Sequence, residues 1–268
     1  MKTISSASNI ISFQEAKQQL EANGDDAVYR VLPEEQRMNE NEQVIEPLLV
    51  SMHVAAETIS FAYWFKQSNP DAQDVDNLLN MASKTLRAIT DEFLAYIEST
   101  LSTAPAGMNH DMDYWSERTA TVMERIPPLQ RRAEKVYQAR GWTEEEYENA
   151  VEEAVDENDD VFTLLIDLIT IKIDIGEASD RLSSSLMADW DANIIPPAVK
   201  REWETLFMLA MEAEDELLIA ICDVVETFYE HEEELTEEEL AEIYGAASHL
   251  VEISTDIADS IWAMYDEE

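Results

Sequence analysis

The chain has 268 residues, 46% of them hydrophobic, with five Gly, eight Pro and one Cys. That composition supports a sizeable core and excludes general disorder, a disulfide framework and a multi-thiolate zinc site. The formal net charge of −42 opposes direct binding to DNA, RNA or an anionic membrane and makes a basic protein surface the natural counterpart.

Few Gly and Pro favour long helices over a turn-rich β architecture, so the expected class is all-α, a bundle of seven to nine helices. Residues 1–32 read as a loosely ordered segment, with Ser12 to Glu15 resembling a capping box for a short helix. No apolar run in this segment suits a signal peptide, and no stretch approaches transmembrane length, so the expectation is a cytoplasmic protein without membrane contact.

Pro47 fits a first helical turn, and Leu48, Met52, Ala55, Ile59, Ala62 and Tyr63 then recur at three- and four-residue spacing. Asn69-Pro70 reads as the cap and first position of the next helix. Val75, Leu79, Ala82, Leu86, Ile89, Phe93 and Tyr96 carry that helix through three heptads, which implies packing against another long helix. Ser102 to Gly107 reads as a loop. A helix from about Asp111 stops at Ile126-Pro127-Pro128, and a shorter one runs to Arg140.

Gly141-Trp142 breaks the chain, and the expected subdomain boundary lies here, giving helical segments 33–141 and 142–268. Thr143 to Glu146 is a capping box. Val161, Leu164, Leu168, Ile171, Ile175, Ala178, Leu182 and Leu186 then form one stripe, with a short strand over Ile169–Ile175 as the alternative. Residues 189–195 read as a loop before Pro196-Pro197. Two helices, about 198–231 and 237–266, close the chain, the second opened by Thr236 to Glu239 as another capping box. Ile126-Pro-Pro and Ile195-Pro-Pro each lead into a helix with two early cations, a faint internal echo.

Charge is distributed unevenly. Residues 1–141 hold 21 acids and 13 bases, whereas residues 142–268 hold 38 acids and 4 bases. Arg201 is the last positive side chain, and 22 acids follow it. On the first closing helix, Glu212, Asp215, Glu216, Asp223, Glu226 and Glu230 fall within roughly 60° of one direction at about 100° per residue. On the second, Glu238, Glu242, Glu252, Asp256 and Asp259 share a face, and Ile243, Tyr244, Ala247, Val251, Ala258, Ile261 and Trp262 lie opposite. Ordinary wet faces mix signs, because Glu–Lys pairs at i, i+4 stabilise a helix and like charges there destabilise it. Eleven carboxylates over about 30 Å give one charge per roughly 2.7 Å, against about 1.7 Å for duplex DNA. A salt-adapted composition would spread its acids along the whole chain.

Motifs for chemistry are sparse. There is no phosphate-cradling glycine loop, nucleophile elbow or His-Glu-x-x-His. His53, His110, His231 and His249 are far apart, and none has Glu-x-x-His spacing. Asp156, Asn158 and Asp160 space like the start of a calcium loop, but Val161 replaces its glycine and an apolar run follows. Cys222 sits in an apolar run and reads as a core thiol. Tyr63-Trp64-Phe65 and Tyr114-Trp115 read as core aromatics rather than a ligand pocket.

Two resemblances follow from these residues. Glu145-x-x-Glu148 with Glu177-x-x-Asp180 resembles the paired acidic helices of all-α, magnesium-dependent nucleotide pyrophosphohydrolases, which implies magnesium held by those four carboxylates. In charge and helical composition, the chain resembles the DNA-mimic inhibitors that phages and mobile elements direct against restriction, CRISPR or recombination enzymes. That likeness implies a non-catalytic, cofactor-free decoy whose eleven stripe carboxylates meet the Lys and Arg of a basic nucleic-acid-binding protein or nuclease. An acidic chaperone or scaffold for a basic client, of the histone-chaperone kind, is the third reading.

Overall fold

A computed structural model describes residues 41–102, 112–157, 161–192, 196–231 and 237–265. The expected all-α class is found, with no strand among the described residues. A π-helical turn, Asn41–Ile45, leads into α1 (Glu46–Ser68), α2 (Gln73–Ser102), α3 (Met112–Met123), α4 (Ile126–Gln138) and α5 (Glu144–Glu157). The chain continues through α6 (Val161–Ala192), α7 (Pro197–His231) and α8 (Glu237–Trp262). The alternating run Ile169–Ile175 is helical, inside α6. The expected short N-terminal helix, the Ser102–Gly107 loop beyond Ser102, the calcium-like Asn158 and Asp160, and Thr236 lie outside the described residues.

The chain forms two compact units, and the division falls after Ile166, within α6, rather than at Gly141. The reason lies in α5, which packs on α1. Trp142 and Tyr147 meet the Phe61 ring edge-on, at centroid separations of 6.4 and 4.8 Å, and Trp142 meets Phe65 at 5.7 Å. Those contacts tie the segment after Gly141 to the first unit.

In this unit α1 is central, touching the π-helical turn and α2 through α5. Leu48, Met52, Ala55, Ile59 and Ala62 are fully enclosed, as their spacing predicts. Each large one contributes about 1.5–3 kcal/mol of burial. Tyr63 departs from the pattern. It is exposed, with its ring stacked on Phe162 at 6.3 Å. The segment Gln43–Ser68 does reach the length and apolarity of a membrane span, contrary to the sequence reading, but most of it is buried as the centre of this unit. On α2 the stripe is buried at Val75, Ala82, Leu86, Ile89, Phe93 and Tyr96, while Leu78 rather than Leu79 fills the second position.

Asn69 caps backwards rather than forwards. Its amide and its side-chain Nδ2 both donate to the Phe65 carbonyl, at 3.0 and 3.1 Å, closing α1. Residues 70–72 form a turn, so α2 begins at Gln73 instead of Pro70. The box at Thr143 is realised: its amide donates to Glu146 Oε2 at 2.7 Å, and the Glu146 amide donates back to Thr143 Oγ1 at 3.2 Å. Gly141, at φ 75°, makes the left-handed turn before it.

The second unit contains α6 from Asp167, with α7 and α8 packed against each other. Trp262 Nε1 on α8 donates to Asp174 Oδ1 on α6 at 3.0 Å, and the Tyr265 hydroxyl lies 3.0 Å from Ser185 Oγ. α6 continues to Ala192, through part of the expected 189–195 loop.

Candidate functional site

On α7, Leu209, Ala210, Ala213, Leu217, Ile221, Val224 and Val225 are buried. Glu212, Asp215, Glu216 and Asp223 are exposed on the other side. On α8, Ala247, Leu250, Ile257, Ala258 and Ile261 are buried, and Glu252, Asp256 and Asp259 are exposed. Seven of the stripe carboxylates thus face water from two helices of one unit. The side chains of Glu226, Glu230, Glu238 and Glu242 lie outside the described residues.

The cations of this unit contrast with its acids. Lys172 is buried and donates to Glu214 Oε2 at 3.1 Å. Arg181 lies over the Tyr265 and Trp262 rings at 4.4 and 5.7 Å. Lys200 and Arg201 stand in the first turns of α7, and no Lys or Arg follows. Asp223 is exposed overall, yet partial burial of its carboxyl raises its pKa. His249, beside the α8 face, places Nδ1 3.8 Å from Glu252.

Glu214 is the acid that sequence reasoning passed over. It is 4% exposed and accepts a second hydrogen bond, from Ser179 Oγ to Oε1 at 2.6 Å. Its signal was present: two residues from Glu212, it sits roughly 200° away, on the leucine side of α7. Lys172 likewise interrupts an apolar run. Gly176, one turn along α6, leaves room beside the pair, and an added Cβ there would lie 3.9 Å from Lys172 Nζ and 4.0 Å from Glu214 Oε2.

The four carboxylates of the magnesium resemblance lie on two helices. Glu145 and Glu148 are exposed on α5 in the first unit, and Glu177 and Asp180 are exposed on α6 in the second. Among the described residues, no three of His, Cys, Asp and Glu are grouped so as to hold a metal ion. Cys222 is half-buried rather than enclosed. Of the aromatic pairs, Phe65 and Trp115 are buried, whereas Tyr63 and Tyr114 are exposed.

The first unit has its own buried acid. Glu92 is 7% exposed and is clasped by Arg118, with Nη2 donating to Oε2 at 2.7 Å and Nε in charge contact with Oε1 at 2.6 Å. Arg118 also donates to the Tyr114 hydroxyl and covers the Trp115 ring at 5.1 Å. Among the described residues, the two buried acids each have an internal cationic partner, and the seven stripe carboxylates of α7 and α8 are exposed. Known protein families, characterised proteins and solved structures offer no match to this chain.

Proposed function

We propose that the chain is a non-catalytic acidic decoy that docks on a basic nucleic-acid-binding protein and blocks its groove. One observation carries this reading. Seven carboxylates are exposed on two packed helices, in a stretch of chain that contains no Lys or Arg. A face of one sign suffers self-repulsion and gives up i, i+4 pairing, but it steers a cationic partner into encounter. Association is then fast and weakens steeply with salt.

The test is a low-salt pulldown with a salt-gradient elution, comparing the natural chain with a variant carrying Glu216→Lys, Asp223→Lys, Glu252→Lys and Asp256→Lys. The decoy reading expects the reversed chain to lose its captured protein while keeping its helicity, and the natural chain to displace nucleic acid from that protein. Unchanged capture overturns it. A client that still binds DNA while complexed supports the chaperone reading instead. The pyrophosphohydrolase reading expects magnesium-dependent release of pyrophosphate that Glu148→Gln abolishes.

A further inference from the structure

The acidic side of α7 is not purely polar. Ile219 is 51% exposed there. On a helix, the surface neighbours of a residue lie three and four positions away. For Ile219 these are Asp215, Glu216 and Asp223, all exposed, and the half-buried Cys222. Glu212 lies one further turn down the same side. An apolar β-branched side chain thus stands among three exposed carboxylates. Glu, Lys or Ala at this position would favour the helix more.

A phosphate-like surface alone needs only carboxylates. Grooves that bind single-stranded nucleic acid have a second component, because they combine Lys and Arg along the backbone track with aromatic side chains on which bases stack. An apolar group flanked by anions complements such a groove in both respects. It also supplies what charge alone lacks, a desolvated centre inside a polar rim that slows dissociation. Partial burial already raises the pKa of Asp223, the carboxyl one turn from Ile219.

Resting on the decoy reading, we propose that Ile219 is the apolar anchor of the α7 face. Its partner is a cationic protein surface with an aromatic side chain ringed by Lys and Arg, the chemistry of a single-strand-binding groove.

The test uses the full chain and two synthetic probes of equal length and charge, a Lys-Lys-Trp repeat peptide and a Lys-Lys-Ala repeat peptide. Titrations are read at low and moderate salt. The natural chain is expected to bind the Trp peptide about ten-fold more tightly, the scale of one well-buried apolar contact. Ile219→Ala should remove that preference and leave affinity for the Ala peptide unchanged, with helicity confirming the fold. Met187→Ala, at an exposed apolar site on α6, should retain it.

Equal affinity of the natural chain for both peptides overturns the anchor, and so does a preference that survives Ile219→Ala or disappears equally in Met187→Ala. Failure of the decoy reading looks different. Neither peptide would then bind in a salt-sensitive way, or Asp215→Lys with Glu216→Lys would leave both affinities unchanged.

Discussion

Lys172 on α6 and Glu214 on α7 form an ion pair at 3.1 Å, with side chains only 10% and 4% exposed. Taking both charges out of water is costly, and their geometry, with Ser179 on the second oxygen, offsets that cost. Lys172→Met leaves a buried carboxylate without its cation and should destabilise the second unit by about 3–5 kcal/mol. Lys172→Met combined with Glu214→Leu should recover most of that loss. Urea denaturation of both variants measures the difference.

Arg118 neutralises Glu92 in the first unit, from a position 40% exposed to water. Arg118→Leu removes charge-assisted hydrogen bonds to a buried group and should cost about 2 kcal/mol. Adding Glu92→Gln to it should restore part of the loss, because the remaining amide carries no charge. Thermal melts of the single and double variants check this.

Asp74 accepts a bidentate clasp from Arg140, at 2.8 and 3.2 Å, which holds its carboxyl below the ordinary value of 3.8. With the folded pKa depressed, the contribution is present above the unfolded pKa and is lost as pH falls through the folded one. Asp74→Asn should therefore lower stability at neutral pH and flatten the acid limb of the stability curve. The carboxylate is 39% exposed, so solvent screening keeps the effect modest.

Tyr147 behaves oppositely at high pH. Burial, with the Glu57 charge, pushes its hydroxyl up to about 12. Between about 10 and 12 the unfolded chain ionises this group and the folded chain does not, so stability falls as pH rises through that window. Tyr147→Phe should lessen the alkaline loss, as read from melts between those pH values. Phenolate absorbance should show one late-titrating tyrosine disappearing.

Salt should stabilise the chain in the absence of any partner. The like charges on α7 and α8 repel across a helix turn, and ionic screening relieves that repulsion. A rise in melting temperature between low and moderate salt is expected, and the four-site reversal proposed above should shrink it.

Much of the architecture could be read from the residues themselves. The stripe of α2 followed from its 3-4 spacing at every position but Leu79, whose place Leu78 takes, and the Thr143 box formed the reciprocal bonds its pattern implies. The outward carboxylates of α7 and α8 followed from helical angle, because the leucines and isoleucines opposite them fixed which side turns inward. The unit boundary was harder to place. Gly141 does turn the backbone, but a local break carries no information about which neighbour the next helix chooses. Phe61 and Phe65 made that choice through Trp142 and Tyr147. Asn69 was ambiguous for a related reason, since one side chain can serve the end of one helix or the start of the next. Glu214 was hidden among acids of the same kind, and only its angle among leucines set it apart.

The unit boundary falls between two residues of one uninterrupted helix, α6. An attempt to express the acidic half alone should not begin at Asp167. The amides of residues 167–170 donate to carbonyls four positions earlier, so a fragment cut there would expose four unsatisfied donors at a new terminus. Starting at Val161 keeps that turn hydrogen-bonded, and the extra residues, Phe162 and Leu164 to Ile166 among them, would then need a solubilising substitution in place of the cover they lose.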